Sequence, residues 1–126
     1  MKSRIKSVAA LFCALAAAPA LAADAYPNKP VRIVVAYTPA GTTDILARAI
    51  GQKLTEAWGQ AVVVENRAAA GGIVATEYVA KAAPDGYTLL MGNPTPLTIA
   101  PSLYDKLGYD PQRQFAPVIQ IGRAHV

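Results

Sequence analysis

Thr42, Thr43 and Asp44 follow directly on Pro39, Ala40 and Gly41, and that succession of residue types suits the binding of an anion. Proline and glycine stop a strand, and hydroxyl and carboxylate oxygens accept the backbone N–H groups left over where a helix begins. A helix amino terminus carries about half a unit of positive charge, so its N–H groups can hold a carboxylate without help from lysine or arginine. Residues 38–44 contain neither. The candidate donors are the backbone N–H groups from Gly41 to Thr43 and the hydroxyls of Thr42 and Thr43, assisted by ordered water, with Tyr37 or Thr38 beside the ligand. The same residues also read as helix caps and nothing more. Asp44 would repel an anion unless it folds into its own helix start or holds a bridging water. Both roles stay open, and neither is catalytic. Arg48 stands one turn further on, where an exposed pair with Asp44 is worth about 0.2–0.5 kcal/mol.

The elements that must position these groups are a strand before the loop and a helix after it. Val31, Ile33, Val34, Val35 and Tyr37 form a run without clean alternation, as in a parallel strand covered on both faces. Ile45, Leu46, Ala49, Ile50, Leu54 and Trp58 recur at helical spacing and predict the buried face of the helix, which stops at Gly59. Residues 61–65 predict a second strand and residues 73–83 a second helix with Val74, Tyr78, Val79 and Ala82 inward. Pro84, Asp85 and Gly86 break that helix, and residues 87–91 predict a third strand. Residues 97–118 read as loop with one short helix.

A β-α-β-α-β succession with helix-length crossovers predicts an α/β fold: a parallel sheet in the order second, first, third. In such sheets the ligand crevice lies outside the carboxyl ends of the strands, where connections leave to opposite sides. Here it falls between the first and third strands, where residues 38–44 and 92–96 converge. Gly92, Asn93 and Thr95 are therefore candidates, with turn formation the alternative for Asn93 and Thr95. Gly71 and Gly72 either let the second helix start near the crevice or serve ordinary turn chemistry. Glu65 and Arg67 read as solvated, and Tyr104 and Tyr109 as packing residues.

Both ends of the 126-residue chain distort its composition. Lys2, Arg4 and Lys6 precede an uncharged Ala- and Leu-rich segment and then Ala20-Leu21-Ala22, the pattern of a cleaved secretory signal peptide at 1–22. Phe12 before Cys13 argues against a lipoprotein signal. Cys13, the one cysteine, leaves with the signal, so the mature chain needs no disulfide in an oxidising periplasm. Three of the charges behind the formal net +4 lie in that signal, leaving +1, which gives no nucleic-acid footprint. At the other end, residues 121–126, IGRAHV, break abruptly with the pattern and read as a sequencing-adapter or truncation scar. That removes the one histidine, His125, from the candidate chemistry.

Enzyme signatures are missing from the sequence. There is no Gly-Lys-Ser/Thr phosphate loop, no G-x-S-x-G and no Cys/His cluster for a metal. The chain is therefore expected to be no enzyme and to use no cofactor and no metal. The surviving enzyme alternative is a fragment of a secreted carboxyl-ester hydrolase.

The segments YTPAGTTDILAR, VVVENRAAAGG, APDGYTLLMGN and APSLYDKLGYDPQRQFAPV, in that order after a secretory signal, closely resemble the Bug family of extracytoplasmic solute receptors, the TctC-type components of tripartite tricarboxylate transporters. The resemblance implies a type II-like periplasmic-binding-protein fold whose two lobes close over a small carboxylate, delivered to integral membrane permease subunits by a receptor that is itself a monomer. Residues 23–120 then form the first part of one lobe. The alternative is a structural fragment with no binding of its own. The sequence departs from the family pattern at Ala36, often Pro; at Ala40, commonly Gly; and at Ala68-Ala69, frequently Pro-Gly. Ala40 would narrow the backbone angles open to the binding loop.

Overall fold

The computed structural model describes residues 25–122. Its centre is β1 (Val31–Val35), in which Arg32 alone is exposed while Val31, Ile33, Val34 and Val35 are buried. β1 pairs in parallel with β2 (Val62–Asn66) on one side, Val31 opposite Val62 and Val35 opposite Asn66. On the other side it pairs in parallel with β3 (Thr88–Met91), Arg32 opposite Thr88 and Val35 opposite Met91. The order β2-β1-β3 agrees with the expected topology.

Two right-handed crossovers running in opposite directions must place their helices on opposite faces of the sheet, and the core divides accordingly. Ile33 and Val35 pack with Ala47 of α1 (Thr42–Trp58), alongside Val62, Val64, Leu89 and Met91. Val34 and Ala36 point the other way and pack with Ala75, Tyr78 and Val79 of α2 (Ile73–Ala80). Tyr37, just past β1, packs against both clusters.

The expected helix faces need correction. The residues of α1 that face the sheet most closely are Asp44, Ala47 and Gly51, while Ile45 and Leu46 are 60% and 43% exposed and Ala49 is exposed too. Ile50, Leu54 and Trp58 are half-buried. Helix and sheet approach so closely that a Cβ on Gly51 would stand 3.4 Å from Val62 Cγ1, so the seam takes small side chains. In α2 the fully covered residues are Ala75 and Thr76, and Val74 is exposed.

α1 ends as expected, with Gly59 in the left-handed region and its N–H donating to Thr55 O at 3.0 Å. After β3 a π-helical turn (Thr95–Ile99) runs straight into α3 (Ala100–Leu103). Pro96 within that turn is buried, and the buried Tyr109 donates its hydroxyl to the Pro96 carbonyl, consistent with the packing role expected of it. Tyr104 is 55% exposed, contrary to the same expectation.

Candidate functional site

The loop between β1 and α1 is closed by backbone geometry and one carboxylate. Ala40 has φ +67°, a left-handed conformation that glycine adopts freely and that costs an alanine about 1–2 kcal/mol. Gly41 is extended and is the N-cap of α1, and it makes no side-chain cap hydrogen bond. The first intrahelical bond runs from Ile45 N–H to Gly41 O at 3.0 Å, so the N–H groups of Thr42, Thr43 and Asp44 precede the helical ladder. Thr42 is exposed and Thr43 half-buried. Neither threonine caps the helix through its hydroxyl, which corrects the capping alternative for these two.

Asp44 folds inward. Only 3% exposed, its Oδ2 accepts the Ala40 N–H at 2.9 Å and Arg48 Nε at 3.0 Å. Its Oδ1 accepts Asn66 Nδ2 at 2.9 Å. The Arg48 hydrogen bond, then the Ala40 N–H and the Asn66 amide, lower its pKa from the ordinary 3.8 to about 2. The group is ionised and its charge is paired with Arg48. This is a helix-start role, with the carboxylate reaching back one residue beyond the N-cap.

Asn66 completes the clamp, although its residue type and local spacing do not mark it. It ends β2 directly opposite Val35. Its Nδ2 donates to Tyr37 O at 3.1 Å as well as to Asp44, and its Oδ1 accepts Arg48 Nη2 at 3.0 Å. One amide thus ties the end of β1, the end of β2 and the first turns of α1. The available signal is positional: a residue ending the strand beside the central one must stand at the crevice.

A second cluster forms where the chain crosses from β2 to α2. Ala70, Gly71 and Gly72 all have positive φ. A Cβ on Gly72 would stand 3.0 Å from Ala36 Cβ and 3.3 Å from Pro96 Cγ, and one on Gly71 would stand 3.6 Å from Thr95 Cγ2. The crossover therefore lies over the end of β1 and against the π-helical turn, a third wall beside the two loops expected. Both glycines are required by conformation, and Gly72 also by close approach.

The candidates after β3 serve that turn. Asn93 Oδ1 accepts the Thr95 N–H at 3.2 Å, which is turn formation. A Cβ on Gly92 would stand 2.6 Å from Leu97 Cδ1. Thr38 is exposed at the start of the first loop. Asn66 joins Tyr37 and Asp44, and Thr95 meets Asn93 and the Gly71 turn, whereas no hydrogen bond among the described residues joins Thr42 or Thr43 to Asn93 or Thr95.

Glu65 and Arg67 are less solvated than expected. Arg67 Nε donates to Glu65 Oε1 at 2.6 Å, and its guanidinium lies 3.6 Å from the Tyr78 ring centroid. Arg32 reaches Glu65 at 3.4 Å and donates to the Tyr78 hydroxyl at 2.7 Å. A shallow groove lined by Arg48, Gly51, Gln52, Thr55, Glu56, Val62 and Val64 runs along the flank of α1 and β2, away from the expected crevice. Among the described residues no group of three or more His, Cys, Asp or Glu is placed to hold a metal ion.

Comparison with known proteins bears on this arrangement. Residues 46–126 match the family described as the tripartite tricarboxylate transporter family receptor. The chain is 41% identical over 123 residues to Protein BugT of Bordetella pertussis, an alignment covering 95% of this chain and 37% of BugT. Its fold is similar to MatC from Rhodopseudomonas palustris with bound malate, with 40% identity, TM-score 0.69, and coverage of 74% of this chain and 32% of that one. It is similar also to the periplasmic binding protein BugD, with 40% identity, TM-score 0.64, and coverage of 73% and 30%. A further R. palustris protein, solved with adipate, shares 41% identity at TM-score 0.61, covering 69% of this chain and 29% of its own. The chain spans little more than a third of the length of the curated relative BugT.

Proposed function

The chain belongs to the tripartite tricarboxylate transporter receptor family, whose members are periplasmic solute-binding receptors, and from that premise we propose that the natural protein binds a small carboxylate in the periplasm and passes it to integral membrane permease subunits. The observation that carries this reading is the start of α1. Its N–H groups emerge beside the carboxyl end of the central strand with no side-chain cap, and the buried Asp44 carboxylate is occupied by Arg48, Asn66 and the Ala40 N–H. The Gly41–Thr43 backbone and the Thr42 and Thr43 hydroxyls donate to the ligand carboxylate, while Tyr37, Thr38, Gly92, Asn93 and Thr95 shape the crevice. Asp44 acts by holding the loop. The malate and adipate bound by two similar proteins support a carboxylate as ligand.

Binding, with no covalent chemistry, is the role this site suits, and the receptor works as a monomer. Residues 1–22 are removed on export and residues 23–120 belong to one lobe, while the family match runs through the segment 121–126 to the end of the chain. Of that last segment, 123–126 lie outside the described residues, as do 1–24.

Titration calorimetry of the full natural protein against malate, adipate and their methyl esters tests the reading. At least one free acid is expected to bind, and esterification is expected to abolish binding. Tight binding of a neutral sugar with no response to any carboxylate would overturn it.

A further inference from the structure

The clamp made by Asn66 goes beyond holding the fold. We propose that Asn66 is a positioning residue for ligand binding, fixing the α1 amino terminus against the end of β1 at the angle the carboxylate requires. The inference rests on the function proposed above and deepens it.

Three hydrogen bonds carry the inference. The Asn66 amide donates to the Tyr37 carbonyl and to Asp44 Oδ1 and accepts from Arg48 Nη2, at 3.1, 2.9 and 3.0 Å. Asp44 in turn holds the Ala40 N–H at 2.9 Å. The binding loop is therefore tied at both ends, at Tyr37 where it leaves β1 and at Ala40 just before the helix, and both ties pass through or adjoin one side chain. That side chain stands on a rigid element, since Asn66 is in register with Val35 and the next residue, Arg67, donates its N–H to Val35 O at 2.9 Å. Between the ties lie Thr38 and Pro39, a segment with no side-chain hydrogen bond among the described residues. Loosening the clamp lets the N–H groups turn away from a common point, and donors out of alignment lose most of their attraction for an anion.

Replacement by aspartate tests the role because it keeps the shape and changes the hydrogen-bonding sense. An ionised carboxylate in place of the Asn66 amide cannot donate to Asp44 or to Tyr37 O. Only Arg48 faces both carboxylates, since Glu65 and Arg67 pair with each other beside Tyr78. Two carboxylates in contact bind a shared proton more readily than either alone, and the protonated form restores a donor.

The full natural receptor and its Asn66→Asp variant are titrated with malate and adipate between about pH 4.5 and pH 8, where the parental Asp44 remains ionised. The variant is expected to bind about tenfold more weakly than the parent at the upper end and to recover most of that loss at the lower end, while circular dichroism shows both folded. A residue that serves stability alone would leave the affinity of the folded variant, and its pH profile, equal to the parent's. Equal affinity at every pH therefore overturns the positioning role and leaves the carboxylate reading standing. A parent that binds no carboxylate overturns both. If Asn66→Asp does not fold, Asn66→Ser carries the test: its shorter hydroxyl cannot span both ties, so weakened binding supports the role and parental affinity overturns it.

Discussion

The two ends of the sheet are built from opposite materials. At the amino end of the strands, Tyr26 meets Tyr87 and Trp58 edge to face, with ring centroids 4.9 and 6.0 Å apart. Tyr26 donates its hydroxyl to Gly86 O at 2.7 Å, the Asn28 N–H donates to the Tyr87 hydroxyl at 3.0 Å, and Lys29 pairs with Asp85 at 3.0 Å. The carboxyl end has small residues, four positive-φ positions (Ala40, Ala70, Gly71 and Gly72) and a polar clamp of Asp44, Arg48 and Asn66. Aromatic rings bury area and stabilise; small residues and left-handed turns leave backbone N–H groups reachable. The division implies that stability is concentrated at one end and recognition at the other, so substitutions at the two ends should separate the two properties.

The largest effect is expected from Tyr87→Ala. It removes a ring that touches Tyr26, a hydroxyl that holds Asn28 and the face over which Lys29 Nζ lies at 4.2 Å, and should lower stability by about 2–3 kcal/mol. Urea unfolding reads the loss, and carboxylate affinity of the folded receptor should stay at the parental value. At the opposite end Gly72→Ala forces a Cβ to within 3.0 Å of Ala36 Cβ at φ +92° and should cost about 1–2 kcal/mol. Because the turn rests against Thr95 and Pro96, calorimetry should show weakened binding as well. Ala40→Gly should act in the other direction, raising stability by about 0.5–1 kcal/mol as left-handed strain is relieved against a more flexible unfolded chain.

The comparison also carries a pH dependence. Asp44 titrates at about 2 in the folded chain against an ordinary 3.8. Its contribution to stability is therefore complete above about pH 4 and is lost as the pH falls toward 2. Asp85, lowered first by the Tyr87 N–H and then by Lys29, adds in the same sense at the other end. Asp44→Asn should flatten the acid limb of the urea-unfolding profile without removing it, the remainder coming from groups such as Asp85.

What was legible in the sequence follows the same division by range. β1 was legible because a strand covered on both faces needs an unbroken Val/Ile run, and the order β2-β1-β3 followed from crossover handedness. The inward face of α1 was not, because periodicity favours the larger residues Ile45 and Leu46 whereas the close approach of sheet and helix admits Ala47 and Gly51. Thr42 and Thr43 marked the helix start correctly, yet the N-cap fell to Gly41. Asn66 escaped notice because its bond to Asp44 joins residues 22 apart, a pairing that only the register of β2 on β1 creates. The π-helical turn left no periodic trace, since Pro96 and the Tyr109 contact that covers it belong to a stretch of breakers.

Thr42→Pro asks whether backbone N–H groups at the start of α1 receive the ligand's carboxylate. Thr42 is the first helical residue, where proline is tolerated because its missing N–H has no intrahelical acceptor. Gly41 before it already has the extended angles, φ −77° and ψ 165°, that a residue preceding proline requires. The substitution therefore deletes one N–H and one hydroxyl and leaves the helix intact, while Thr42→Ala deletes the hydroxyl alone. In the full natural receptor, Thr42→Pro should unfold in scanning calorimetry at a temperature no lower than the parent's and, in titration calorimetry, bind carboxylate about tenfold more weakly, a loss of about 1.4 kcal/mol, with Thr42→Ala in between. Parental affinity in a folded Thr42→Pro receptor would rule out the N–H contact to the ligand.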